Sequence, residues 1–179
     1  LNENKFVLMY HGLIVERYGL EDLVNAVKLL KDKIPELELV IYGDGEYVPV
    51  LLKIIDKLKL NDTIKYFGII SLDEIAGIIP QSDIGIIPNR LGPFTQINFP
   101  TRIFEYLHMK KPVVVPRTQG INDYFDEGSI FYFDAGNVEN LANVILNIYS
   151  DRAKAVEVVN KGYEIYQKHR WEKKKKNLV

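Results

Sequence analysis

NFPTRIFEYLHMKKPVVV, Asn98–Val115, reads as a turn, a short helix, a break and a strand. Pro100 suits a first helical turn, because the amide proton that proline lacks would be unpaired there anyway. It also pushes Phe99 towards an extended conformation, so the spacing predicts a helix that begins around Pro100. Ile103, Phe104 and Leu107 are expected to face a sheet, and PVVVP (Pro112–Pro116) reads as a strand covered on both faces. One carboxylate, Glu105, stands among these apolar residues.

The same alternation extends in both directions. FVLMYHG (Phe6–Gly12) is a continuous apolar run closed by glycine. In the helix after it, Leu20, Leu23, Val24, Val27, Leu30 and Ile34 recur at helical spacing with charges between them. LELVIYG (Leu37–Gly43), TIKYFG (Thr63–Gly68) and SDIGIIP (Ser82–Pro88) read as strands two to four. YVPVLLKIIDKLKL and SLDEIAGII are the intervening helices, the latter with Ser71 and Glu74 spaced as a capping box. NRLGPFTQINF reads as a Gly/Pro-rich loop. Beyond PVVVP come a short turn or helix near Ile121–Phe125, a sixth strand SIFYFD, and a helix capped by Asn137. A last helix runs from about Arg152 to Lys168 and ends near Trp171. Strands alternating with helices imply parallel strands joined by right-handed crossovers. We therefore expect one Rossmann-like, three-layer α/β domain over residues 1–179, with a mostly parallel sheet of about six strands.

Composition narrows the function. The 179 residues carry 23 Lys+Arg and 24 Asp+Glu, a net charge of −1, which offers no bulk attraction to nucleic acid. With no cysteine, disulfides, thiolate catalysis and Cys-based metal sites are excluded. No apolar run is long enough to span a bilayer; Pro80, Gln81, Ser82 and Asp83 interrupt the nearest, IAGIIPQSDIGIIP. The N-terminal residues lack the basic-then-apolar order of a signal peptide, so a cytoplasmic location is expected. Because Leu1 opens the sequence with a strand a few residues on, we also expect it to be an excised piece of a longer protein.

In sheets of this kind ligands bind at the carboxyl ends of the strands, which directs attention to the loops. GDGEYV (Gly43–Val48) looks like the start of a dinucleotide fingerprint, but Val48 stands where its third glycine belongs and the loop follows strand two instead of strand one. Gly43 and Gly45 then serve either a turn with positive φ or a close backbone approach to a flat ligand. In HGLIVERYG, Gly12 ends strand one, and Arg17 either neutralises a phosphate or pairs on the surface with Glu16, Glu21 or Asp22. His11 has no partner at metal-ligand spacing and reads as a hydrogen-bonded structural histidine. Around Pro100 the amides of Thr101 to Ile103 make an anion site, to which Thr101 adds a hydroxyl and Arg102 a charge. Glu105 lies three residues after Arg102, so the two share a helix edge. They form either a surface ion pair, or a unit in which phosphate sits at the helix start and Glu105 accepts hydrogen bonds from vicinal hydroxyls such as those of a ribose.

Together YHG…ERYGLEDLVNAV, ELVIYGDGEY, DTIKYFGIISLDEIAGIIPQSDIGIIPN and FPTRIFEYLHMKKPVVVP resemble the C-terminal, donor-binding domain of a glycosyltransferase with the GT-B fold, most like family 4, the group 1 transferases. The resemblance implies a ribose contact for Glu105 and a diphosphate at Asn98, Phe99, Pro100, Thr101 and Arg102. It implies flanking of the base by Gly43–Gly45 and by Gly68, Ile69 and Ile70. Leaving-group stabilisation would fall to Arg17 and Arg102, with Gly12 at the phosphates.

Two departures stand out. Eight residues before Glu105, where many members carry a first glutamate against the transferred sugar, this chain has Ile97; Gln96 and Asn98 flank it and can hydrogen-bond sugar hydroxyls. Leu13 and Tyr18 occupy the usual basic positions of the first loop, Arg17 is offset by one, and Arg102 or Arg117 is a substitute. No Asp-x-Asp pair lies at a strand end, so no metal and no cofactor is expected beyond a UDP- or GDP-sugar donor. The resemblance implies retaining hexosyl transfer to a glycan, lipid or other acceptor. It also implies a missing N-terminal acceptor domain and a full-length protein in the cytoplasm or at the inner membrane surface; Trp171 and Lys173–Lys176 belong either to a helix that crosses back to that domain or, for the lysines, to a solvated helix end favoured by the helix dipole. A non-catalytic sugar-nucleotide module and half of a sugar-nucleotide 2-epimerase are the alternatives. The isolated domain is expected to be inactive.

Overall fold

A computed structural model of the chain describes residues 4–169. The expectations for Trp171 and Lys173–Lys176 lie outside those residues. Six strands, β1 (Phe6–His11), β2 (Leu37–Tyr42), β3 (Ile64–Gly68), β4 (Ile84–Ile86), β5 (Val113–Pro116) and β6 (Phe131–Phe133), form one sheet in the order β3-β2-β1-β4-β5-β6. All five pairings are parallel. The helices are α1 (Leu20–Leu30), α2 (Val48–Lys57), α3 (Leu72–Ile78), α4 (Pro93–Ile97), α5 (Arg102–His108), α6 (Gln119–Asn122), α7 (Val138–Ser150) and α8 (Arg152–His169). The Rossmann-like layer expected from the alternation is thus the observed fold.

Pleating divides the core in two, because successive side chains of a strand point to opposite faces. Phe6, Leu8 and Tyr10 pack with α1, α2 and α7. Val7 and Met9 pack with α3, α5 and α6. Strand order reverses between β1 and β4, and the loops after these strands form the crevice where such sheets bind ligands.

Local signals act largely as expected. Ser71 and Glu74 form a reciprocal capping box at α3, and the Asn137 side chain accepts the Asn140 amide at the start of α7. Three details differ. The segment read as a loop after β4 contains α4, which Pro93 opens and in which the Thr95 hydroxyl donates back to Arg90 O. Helix α5 starts at Arg102, not Pro100, because the chain first makes a tight turn with Ile103 N–H on Pro100 O at 3.0 Å. Phe104 does not face the sheet; it lies in an aromatic group with Phe99, Tyr124 and Tyr166, and Tyr106 is the large buried side chain of α5 instead.

Candidate functional site

Three loops are tied together at the carboxyl edge of β1, β2 and β3. Gly12 N–H donates to Tyr42 O at 3.0 Å, Ile14 N–H to Asp44 O at 2.8 Å, and Gly43 N–H to Gly68 O at 2.7 Å. The crossing is close: a Cβ at Gly43, where φ is 132°, would stand 1.9 Å from Gly12 O. Between the loops and α3 lies a cleft of ≈ 460 Å³ lined by His11, Gly12, Gly43, Gly45, Ile69 and Ile75 among others. Tyr42 closes one side, with the ring of Phe67 stacked on it at 5.0 Å. A second cleft of ≈ 330 Å³ runs between α3 and α5, shares Leu72 and Ile75 with the first, and includes Glu105. Glu105 thus lines the second cleft and is bonded to His11, which lines the first.

The partner of Glu105 is not Arg102. Its Oε2 lies 2.8 Å from His11 Nε2, while His11 Nδ1 lies 2.8 Å from the Tyr106 hydroxyl. The hydrogen bond from His11 holds the Glu105 carboxyl below the usual carboxylate range, helped by the charges of His11 and Arg102 and opposed by partial burial. The carboxylate keeps 44% of its side-chain surface exposed, against 9% for His11.

Arg102 turns the other way. Its Nη1 donates to the His11 carbonyl, and its guanidinium carbon sits 4.9 Å from the centre of the Tyr10 ring and 5.9 Å from that of Tyr18. Gly12 makes room for this: a Cβ there would be 2.7 Å from Arg102 Nη1. Arg17 shares the Tyr18 ring, at 5.1 Å, and also stacks on Phe94, at 5.8 Å. It makes no ion pair among the described residues; the surface pairing weighed for it belongs to Arg90, which holds Asp22 through two bonds of 2.8 and 2.7 Å and Glu21 at 3.2 Å.

The predicted residues therefore separate into those brought together and those not. Gly12, Gly43, Gly45, Ile69, Glu105 and, through Tyr10 and Tyr18, Arg102 and Arg17 gather around the crevice; Gly68 joins through its bond to Gly43. Gln96 and Ile97 are exposed on α4 or at its end, and Asn98, Phe99, Pro100 and Thr101 form the turn between α4 and α5. Of the amides expected free at that turn, Ile103 is already bonded to Pro100 O. Arg117 is no free substitute clamp: it pairs with Glu127 and lies over Tyr132. Three contributors were missed. Tyr106 bonds His11 and packs on Gly85, and their signal was a glycine inside a strand, which marks a close approach. Arg90 had no signal, because its partners lie 68 and 69 residues away.

The family model for Glycosyl transferases group 1 matches residues 1–165. An alpha-D-kanosaminyltransferase of Streptomyces kanamyceticus is 25% identical over 127 residues, 71% of this chain and 32% of that protein. The sulfoquinovosyl transferase SQD2 of Arabidopsis thaliana is 25% identical over 161 residues, 88% of this chain and 30% of that protein. The chain thus spans about a third of the length of these relatives. Among solved structures, Anabaena HepE in complex with UDP-glucose superposes with a TM-score of 0.82 at 23% identity, covering 92% of this chain and 44% of that one. The sucrose-phosphate synthase of Thermosynechococcus elongatus gives 0.82 at 22% identity, covering 96% and 43%. A match over nearly the whole sequence, on a fold shared with these proteins, means that the chain belongs to the group 1 glycosyl transferases.

Proposed function

We propose that this chain is the donor-binding domain of a retaining glycosyltransferase, which moves a hexose from a UDP- or GDP-sugar to a glycan, lipid or other acceptor held by a second, N-terminal domain. The observation that carries the proposal is Glu105: an ionised, accessible carboxylate in the second cleft, held in place by His11 of the first. In this reading the base occupies the cleft beside Tyr42 and Ile69, with Gly43, Gly45 and Gly68 as its backbone floor. The ribose hydroxyls reach Glu105. The diphosphate lies towards Gly12 and the turn from Asn98 to Arg102, and Gln96 and Asn98 offer polar groups to the sugar. The UDP and UDP-glucose bound by HepE support the donor class.

Breaking a sugar–diphosphate bond builds positive charge on the sugar ring and negative charge on the leaving group. Fixed cations at the leaving group and a positioned donor lower the barrier most. Arg102, with one of its five N–H donors committed to the His11 carbonyl, has others for phosphate oxygens. Arg17 is kept free of carboxylates by Arg90, which takes Glu21 and Asp22, and two aromatic faces support its guanidinium.

A second reading, a sugar-nucleotide module without transfer activity, is favoured by Ile97, an apolar side chain 73% exposed where many family members carry a glutamate. Thermal melts test the shared part: UDP or GDP at millimolar concentration raises the melting temperature, and Glu105→Ala removes most of the rise. No shift with either nucleotide rejects both readings. Assays of the full-length protein over donors and acceptors then separate them, since binding without hydrolysis or transfer identifies the module. The isolated domain is expected to bind nucleotide weakly and transfer nothing.

A further inference from the structure

His11 ends the central strand β1 with its side chain buried and both ring nitrogens engaged. Nε2 is 2.8 Å from Glu105 Oε2, Nδ1 is 2.8 Å from the Tyr106 hydroxyl, and that hydroxyl is 3.0 Å from Met9 O. An ionised carboxylate only accepts hydrogen bonds, so Nε2 carries a proton. Which ring nitrogen is protonated is set by the partner of the other, and here that partner is a phenol able to donate or accept. With His11 neutral, the Tyr106 O–H turns to Nδ1. With His11 charged, Nδ1–H donates to Tyr106 and the phenol O–H keeps Met9 O. In both states Nε2–H remains on Glu105. Burial pushes the Tyr106 hydroxyl well above its ordinary range, so the phenol stays protonated throughout. Because Tyr106 follows Glu105 directly in α5, one helix supplies both the carboxylate and the group that fixes its donor.

We propose that His11 is a positioning residue for donor binding: it anchors one oxygen of Glu105 and so leaves Oε1 and a lone pair of Oε2 oriented for the vicinal hydroxyls of the donor's ribose. The inference rests on the donor-site reading above. Its physical content is pre-organisation, since a long side chain already held in its bound rotamer loses less freedom when the ligand arrives. No signal short of the fold joins these groups: residue 11 and residue 105 are 94 positions apart.

The test is a cycle between side chain and ligand. Calorimetric titration measures the Kd of UDP and of GDP, and of their 2′,3′-dideoxy counterparts, for the unaltered protein and for His11→Phe, His11→Gln, Tyr106→Phe and Glu105→Ala. His11→Phe should weaken the ribonucleotide about tenfold, the usual worth of one charge-assisted hydrogen bond, and leave the dideoxy form within about twofold. His11→Gln, whose amide N–H can replace Nε2–H, should recover most of the loss. Tyr106→Phe should cost the ribonucleotide about threefold. Equal losses on both sugar forms would show a purely structural histidine and overturn the proposal, as would no loss on either. Should His11→Phe fail to fold, the ratio between ribo and dideoxy forms in His11→Gln and Tyr106→Phe decides the matter alone. Nucleotide binding that needs Glu105 but not His11 removes only the positioning role. No binding of UDP or GDP to the unaltered protein removes the donor-site reading and His11's role with it.

Discussion

Gly85, at the centre of β4, makes room for the Tyr106 ring against the sheet, and Gly85→Ala is the sharpest test of the packing beneath the site. A Cβ at this position would stand 2.4, 2.4 and 2.5 Å from Cδ1, Cγ and Cδ2 of Tyr106. Carbon atoms settle at roughly 3.5–4.0 Å, so ring and strand must part by about 1 Å. Neither can give cheaply. Tyr106 is fully buried, and β4 is paired on both sides, with β1 and with β5. Overpacking of this kind costs about 1–3 kcal/mol. Moving the ring also strains the Tyr106 bonds to Met9 O and His11, each worth about 1 kcal/mol. The expected loss is about 3–5 kcal/mol. At about 2–4 °C per kcal/mol for a chain of this size, the melting temperature should fall by roughly 6–20 °C. Urea unfolding followed by circular dichroism, with a thermal melt alongside, measures both. Adding Tyr106→Leu should make the double variant less destabilised than the two single losses summed, because the clash partner is gone. A single variant within about 0.5 kcal/mol of the unaltered protein, or strict additivity in the double, refutes the reasoning.

Two further predictions concern the charges around the crevice. Arg90→Met should destabilise by about 2 kcal/mol, since it leaves the nearly buried Asp22 without its bidentate partner; urea midpoints check this, and adding Asp22→Asn should restore most of the loss. Glu105 has a folded-state carboxyl pKa below its unfolded value, chiefly through His11, so its contribution to stability is present above the unfolded value and is lost as pH falls through the folded one. The stability gap between the protein and Glu105→Gln should therefore be full above the ordinary carboxylate range and close as pH falls below it, as read by urea unfolding at each pH; a gap that widens on acidification contradicts the assignment.

Periodicity determined the layer architecture, because all six strands and most of the helices are long enough, apolar enough or capped clearly enough to be read; the five-residue α4 was not. Apolar runs closed by glycine marked β1 and β2, helical spacing marked α1, the Asn137 cap marked α7, and the capping box and turns are properties of neighbouring residues. The gathering of Gly12, Gly43, Gly45 and Glu105 at one edge was legible too, since parallel strands place the loops after them on one side. Partnerships were not. Arg102 stands three residues from Glu105 in the sequence and yet donates to the His11 carbonyl, while Glu105 takes His11, a residue whose sequence context offered no partner. The start of α5 shifted by two residues because Pro100 O accepts the Ile103 amide in a tight turn. Spacing specifies which residues share a helix edge. Which of them find one another across the sheet depends on backbone carbonyls and ring clearances, such as the space above Gly85, that exist only once β1, β4 and α5 have packed together.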